Sequence, residues 1–249
     1  MPEAKLQPAS DHSLLIEFGG PISLETHEHV LSLTRLLQNT VQASEAEPLV
    51  EHKILNLHPG YTSLLITFHP LRTSHDELTE VVQGFLKQGL VKQRLAEYDD
   101  DSETSRHWEI PVCYGGEFGP DLAAVAALHG LSEKEVIFYH SRVLYRVYFL
   151  GFAPGFPYLG GLPSRLATPR LETPRKHVPA GSVAIGGEQT GIYPVDSPGG
   201  WRIIGQTPHQ LFTPGSPEPT LLSAGDTLRF VPISREAWDR VIYSGRAIA

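Results

Sequence analysis

Val178–Trp201 reads VPAGSVAIGGEQTGIYPVDSPGGW, and upstream of it Gly151–Gly161 reads GFAPGFPYLGG. Neither stretch suits a helix, because glycine gives up too much backbone freedom and proline lacks the N–H that the helical ladder needs. Between Gly151 and Pro208 stand 11 glycines and 9 prolines of the chain's 23 and 21, so the loops there have a defined backbone shape. Between them lie short strand candidates at Ser182–Ile185, Gly191–Tyr193 and Trp201–Ile204, with another later at Thr227–Val231. Short strands punctuated by glycine and proline point to a barrel or sandwich.

Working outward, Val143–Phe152 alternates enough to be a buried strand running into GFAPGFPYLGG, and Glu109–Tyr114 is a strand whose place is limited by Pro111. Asp121–Leu128 is a short Ala-rich helix, Ser132 with Glu135 makes the capping box of a second, and Ser234–Ile242 predicts a third. The first part of the chain has a different rhythm. Ser13–Phe18 is strand-like, Leu24–Leu37 carries a helical stripe, and Glu51–Leu57 and Ser63–Phe68 are strands joined through His58-Pro59-Gly60-Tyr61. Ser74 and Glu77 cap a further helix with Leu78, Val81, Val82, Phe85 and Leu86 on one face. This order predicts a small ferredoxin-like α+β domain, incomplete or variant, whose last strand lies at Val91–Tyr98 or at Trp108–Tyr114. Asp99–Arg106, DDDSETSR, has no apolar anchor and reads as a solvated linker. The expected division is 1–98 for the α+β domain, 99–107 for the linker and 108–249 for the β domain.

A length of 249 residues allows two modest domains with real cores. One cysteine, Cys113, gives no disulfide framework, and no apolar stretch approaches the ~20 residues of a membrane helix, so a cytoplasmic protein is expected. The net charge of -8 disfavours broad binding to nucleic acid or anionic membranes. Val143–Pro208 runs the other way: Arg146, Arg165, Arg170, Arg175, Lys176 and Arg202 face only Glu172, Glu188 and Asp196, a local excess that favours an anionic ligand.

Several residues there are candidates for a site, each beside a plainer reading. Gly186 and Gly187 can offer backbone N–H groups as an anion nest, with Gln189 and Thr190 adding polar side chains, or they make a tight barrel corner. The pattern is neither a Walker loop nor a dinucleotide fingerprint. Asp196, on the stiff loop PVDSPGG, suits a base or a cation ligand, with Glu188 as a second carboxylate; the alternative is a turn-capping acid. Arg175, Lys176 and His177 form a basic triplet whose arginine fork fits a carboxylate or phosphate, or they are a solvated cluster. Ser182 and Ser197 lie in no GxSxG setting, and Cys113 reads as a small buried hydrophobe. The 12 histidines include no HExxH, so a metal is not expected. Phe152, Phe156, Tyr158 and Trp201 either line a pocket or fill the core.

GFAPGFPYLGGLP, TPRLETPRKHVPAGSVAIGGEQTGIYPVDSPGGWRIIGQTP and the upstream IPVCYGGEFGPDL together resemble the 5-oxoprolinase B-subunit family, also called the KipI or allophanate hydrolase subunit 1 family. The resemblance implies a cyclophilin-like β-barrel for the second domain. It also implies partners: a protein like the 5-oxoprolinase C-subunit, of the allophanate hydrolase subunit 2 family, and one like the A-subunit. Such a complex opens 5-oxo-L-proline to L-glutamate using ATP, with Mg2+, through a phosphorylated intermediate, and the nucleotide site can lie on a partner. Under that reading Asp196, Arg175 and Gln189 are catalytic candidates. Lys176, Gly186, Gly187, Thr190, Phe156 and Tyr158 are substrate-binding candidates. Other members of the family resemble inhibitors of a histidine kinase, which makes a non-catalytic regulatory protein the alternative.

Overall fold

The computed structural model describes residues 4–20, 22–42, 53–87 and 106–244, and the chain divides into two compact units, 1–104 and 105–249. In the first unit, β1 (Lys5–Ser10), β2 (Ser13–Glu17), β3 (Ile54–Pro59) and β4 (Ser63–Phe68) form an antiparallel sheet in the order β1-β2-β4-β3. Alternate residues of the two central strands, Leu14, Ile16, Leu64, Ile66 and Phe68, are buried with Phe18 against Val30, Leu33 and Leu37 of α1 (Leu24–Gln42) and Leu78 and Val82 of α2 (His75–Lys87). A period of two on the strands and of three to four on the helices makes this a two-layer α+β unit.

The expected last strand is corrected in part. Trp108–Tyr114 does not join this sheet, and Val91–Tyr98 lies outside the described residues. The edge beside β2 is instead taken by Lys5–Ser10, which precedes it; Pro8 and Lys5 suit an edge that must not recruit further strands. Residues 99–105 of the expected linker are likewise outside the described residues. Arg106 and His107, which the sequence placed in that linker, belong to the second unit: the Arg106 N–H donates to Asp226 Oδ1 at 3.1 Å, and β5 begins at His107.

The second unit is a closed barrel. Its strands are β5 (His107–Tyr114), β6 (Tyr145–Leu150), β7 (Pro157–Gly160), β9 (Ser182–Gly186), β10 (Gln189–Ile192), β12 (Arg202–Gln206) and β13 (Thr227–Pro232), joined in the order β10-β7-β6-β13-β5-β12-β9. β13 runs parallel to β5 over six residue pairs, and the other joins are antiparallel. Two further strands, β8 (Arg175–Val178) and β11 (Ser197–Gly199), stand apart as a two-stranded ribbon. The helices α3 (Leu122–His129) and α4 (Glu133–Ser141) bury Leu122, Val125, Ala126 and Val136 in the barrel core, and α5 (Arg235–Ser244) ends the described chain. GFAPGFPYLGG is the β6–β7 hairpin, with a register shift between Val147 and Phe149 that bends it.

β9 shows why the sequence there is apolar at consecutive positions. All five of its residues are buried: Val183 and Ile185 point into the barrel core with Tyr145, Val147 and Phe230, while Ala184 points outward into a second cluster with Phe156, Val178, Tyr193, Trp201 and Ile203. A strand covered on both faces loses the polar alternation of an exposed sheet. At about 25 cal/mol for each Å² of apolar surface withheld from water, each large apolar side chain contributes on the order of 1.5–3 kcal/mol.

Inside the barrel the fully buried His140 imidazole is held at both nitrogens. Thr190 Oγ1 donates to the Ala184 carbonyl at 3.0 Å, so it accepts from His140 Nε2 at 2.9 Å, leaving Nδ1 to accept from Tyr114 Oη at 2.8 Å. Every donor in this chain is satisfied only while the imidazole is neutral, and burial lowers its pKa from 6.5 to about 3. An unfolded chain binds this proton near pH 6.5 and the fold refuses it until about pH 3, so stability falls as the pH drops through that window. Thermal or urea unfolding is expected to show a loss of roughly 2 kcal/mol from this group between about pH 7 and pH 5. The same loss should be missing from His140→Gln; equal slopes for the two proteins would contradict this account.

Candidate functional site

The outer aromatic cluster opens on one side as a cleft of about 220 Å³, lined by Phe152, Phe156, Tyr158, Tyr193, Trp201 and Arg170 together with Pro174 and the Pro198-Gly199-Gly200 backbone of the ribbon. The rings meet edge to face: Phe156 lies 5.3 Å from Tyr193 and 5.5 Å from Trp201 between centroids, at 82° and 83°. Tyr158 stacks on Phe149 at 4.5 Å. Two glycines let these rings approach the backbone. A Cβ on Gly186 would stand 2.5 Å from the Trp201 indole, and one on Gly199 would collide with the Tyr193 hydroxyl. The juxtaposition of glycine and aromatic residues in the sequence is therefore a packing requirement of this wall.

Phe152 sits at the mouth, 65% exposed, with a φ of 66°. Left-handed backbone is unfavourable for a bulky side chain and costs on the order of 1–3 kcal/mol.

Arg170 crosses the opening with its guanidinium 5.7 Å from the Trp201 ring. The backbone that carries it is tied on both sides: Thr168 and Gly187 exchange hydrogen bonds at 3.0 and 2.7 Å, Arg202 Nε donates to the Pro169 carbonyl, and the Leu171 N–H donates to the Gly200 carbonyl at 2.7 Å. No acid lines the cleft, and Arg170 makes no ion pair among the described residues. Burial pushes the Tyr158 and Tyr193 hydroxyls up in pKa, with Arg170 opposing it in both, so the phenols stay neutral at neutral pH and the cleft carries one positive charge.

Arg175, the other arginine of this segment, is already ion-paired. Arg175 Nη2 donates to Asp121 Oδ1 at 2.8 Å, while Asp121 Oδ2 accepts from the Ile203 N–H at 2.7 Å. Asp121 is almost wholly buried at the start of α3, and its side chain makes no cap there; its two oxygens instead fasten the ribbon to β12. Arg165 stacks on Tyr139 at 4.3 Å, and Lys176 is exposed on the ribbon.

The expected site residues are thus separated. Phe156 and Tyr158 form cleft wall, as expected. Arg175 is withdrawn into its ion pair and does not line the cleft, though its Nη1 is buried with no hydrogen-bond partner. Gly187 is the left-handed turn residue of the β9–β10 hairpin, and its N–H already donates to the Thr168 carbonyl, which corrects the anion-nest expectation; Gly186 is a paired ladder residue beneath Trp201. Thr190 faces the barrel interior on His140, not a ligand. Gln189 opens β10 opposite Gly186 and is partly exposed.

Asp196 is exposed. Its Oδ1 accepts from the Ala180 N–H at 2.8 Å and its Oδ2 meets His177 Nε2 at 3.1 Å, and these two contacts, the backbone one first, hold its pKa below the usual carboxylate value. A base working near neutral pH needs the opposite shift, so the surroundings of Asp196 favour a tie across the end of the ribbon. It also rims a larger cavity of about 500 Å³ under α5, with Gln206, His209 and Trp238. Arg170, Tyr193 and Asp121 were missed as site residues: Arg170 is one of two arginines in the same TPR setting, Tyr193 reads as strand, and Asp121 reads as the first residue of a helix.

The barrel wall thus bears an aromatic cleft with Arg170 in its lining, and comparison with known proteins shows the family to which it belongs. The family model described as carboxyltransferase domain, subdomain C and D, matches residues 4–222. The chain is 42% identical to the 5-oxoprolinase B-subunit of Bacillus subtilis (strain 168) over 235 residues, covering 93% of this chain and 94% of the relative. It is also 42% identical to that of Escherichia coli O157:H7, covering 93% and 97%. The chain belongs to the 5-oxoprolinase B-subunit family of the carboxyltransferase subdomain C and D class. Among solved structures, the Kluyveromyces lactis urea carboxylase superposes with a TM-score of 0.72 at 18% identity, over 98% of this chain and 23% of that one, a likeness of fold.

Two substitutions test the architecture of the site. Asp121→Ala strands the Arg175 cation and frees the Ile203 N–H, and should lower unfolding stability by about 3 kcal/mol, with Asp121→Asn milder because its amide oxygen still accepts from Ile203. Gly186→Ala should unseat Trp201, lowering stability by about 1–3 kcal/mol and shifting tryptophan emission to the red. Urea unfolding followed by fluorescence reads both, and near-wild-type stability for Asp121→Ala would show that the clamp is dispensable.

Proposed function

We propose that this chain is the B-type component of an ATP-dependent 5-oxoprolinase complex, which opens 5-oxo-L-proline to L-glutamate and works only when assembled with A-type and C-type partners. The observation that carries this reading is the 42% identity to a 5-oxoprolinase B-subunit across nearly the whole of both chains. The description of the barrel as cyclophilin-like rests on the same resemblance, and that of the first unit as a ferredoxin-like variant rests on its order of strands and helices.

The cavities of the second unit bear on where the parts of the reaction sit. A cleft of about 220 Å³ lies below the roughly 300–1,000 Å³ of pockets for drug-sized ligands, so it suits a small ring and not a nucleotide. The larger cavity has the volume but no lysine or arginine in its lining to face a triphosphate. Neither of these two cavities fits ATP with Mg2+, which favours a nucleotide site on a partner protein. The contribution of this chain is to bind and orient, with an aromatic wall and one cation, Arg170.

Co-expression with the A-type and C-type partners is expected to yield 5-oxoproline-dependent ATP hydrolysis with release of glutamate, and no turnover from this chain alone. A stable three-protein complex that hydrolyses ATP without regard to 5-oxoproline would overturn the reading. Within an active complex, Arg175→Ala and Asp196→Asn should act through assembly and stability, leaving KM for 5-oxoproline close to wild type. A raised KM at full assembly would restore them to the substrate site.

A further inference from the structure

We propose that the cleft between Trp201, Phe156, Tyr193 and Phe152 is a binding site for a small ring bearing a carboxylate, with Arg170 as the carboxylate partner; for this chain the ligand is 5-oxoproline. The choice of ligand rests on the 5-oxoprolinase reading, whereas the chemical class follows from the cleft itself.

Three features converge on that class. The walls are aromatic faces and edges, which suit the hydrocarbon part of a small ring. The lining contains one charged group, the Arg170 guanidinium, and no acid, so an anion is attracted and a cation repelled. The backbone that carries the arginine is fixed, because the flanking Thr168, Pro169 and Leu171 are each hydrogen-bonded to Gly187, Arg202 or Gly200, and its exposed guanidinium lies 5.7 Å from the Trp201 ring. Its planar donor fork can take a carboxylate in a bidentate pair.

Phe152 adds a fourth feature. Phe152 is 65% exposed, in a backbone conformation that glycine would adopt freely, and stands over the cleft 5.5 Å from Phe156 and 6.4 Å from Tyr193. We assign it the outer face of the ring site, closing on the ligand's exposed side.

The full-length chain titrated with 5-oxo-L-proline, 2-pyrrolidinone and L-proline, followed by tryptophan fluorescence and calorimetry, tests this. Saturable binding of 5-oxoproline is expected, with 2-pyrrolidinone weaker for want of a carboxylate and L-proline weaker because its ammonium meets the arginine's charge. Arg170→Met keeps the stem over Trp201 and removes the charge. It should weaken 5-oxoproline by about tenfold to a hundredfold and leave 2-pyrrolidinone unchanged. Phe152→Gly should weaken both lactams while its melting temperature is no lower than wild type, which separates a ligand role from a packing role. Unchanged 5-oxoproline affinity in Arg170→Met, or no saturable binding by the wild-type chain, would overturn the site.

The two readings fail separately. An assembled complex in which Arg170→Met turns over 5-oxoproline with wild-type KM removes this site and leaves the 5-oxoprolinase reading standing. A complex without turnover, in which this chain still binds pyrrole-2-carboxylate through Arg170, supports the site and removes that reading.

Discussion

The Trp201 indole lies against the barrel wall because residue 186 beneath it has no side chain, and most of the outer cluster is arranged around that contact. Phe156 and Tyr158 meet the indole edge-on, Arg170 lies over it, and the ribbon of Arg175–Val178 and Ser197–Gly199 closes beside it. Close packing of this kind cannot be shifted by even one methyl group without a response from its neighbours. The barrel therefore has two cores, one inside shared with α3 and α4, and one outside beneath the ribbon, with β9 common to both.

The ribbon is too short to be stable alone and is fastened at defined points. Asp121 binds Arg175 and the Ile203 N–H with its two oxygens, and Asp196 ties Ala180 and His177 at the far end. Two of the acids in a sequence rich in them thereby serve as clasps, and one of the basic residues next to the site is removed from it. The positive charge that remains over the cleft is Arg170.

Much of this could be read in the sequence where a single physical rule dominated. The helix stripes, the capping box of Ser132 and Glu135, and the strand Ser63–Phe68 followed from periodicity and local hydrogen bonding. Strands β7, β8 and β11 did not, because three or four residues broken by proline and glycine carry no period. β1 escaped for a similar reason, being a polar edge strand containing Pro8. The site was legible as a neighbourhood and not as a set of residues. Glycine, proline and aromatic composition marked the loops, but the choice between Arg170 and Arg175 depends on Asp121, distant in the chain and joined to Arg175 by the fold at 2.8 Å. The glycine pair suggested an anion nest because a sequence does not show that Thr168 has already claimed the Gly187 N–H.

An X-ray structure of the full-length chain crystallised with saturating 5-oxo-L-proline tests the central claim most directly. The account predicts the lactam ring against Trp201 and Phe156, with its carboxylate paired to the Arg170 guanidinium and the Asp121–Arg175 ion pair intact. A lactam bound at Arg175 or Asp196, with the aromatic cleft left to solvent, would contradict it.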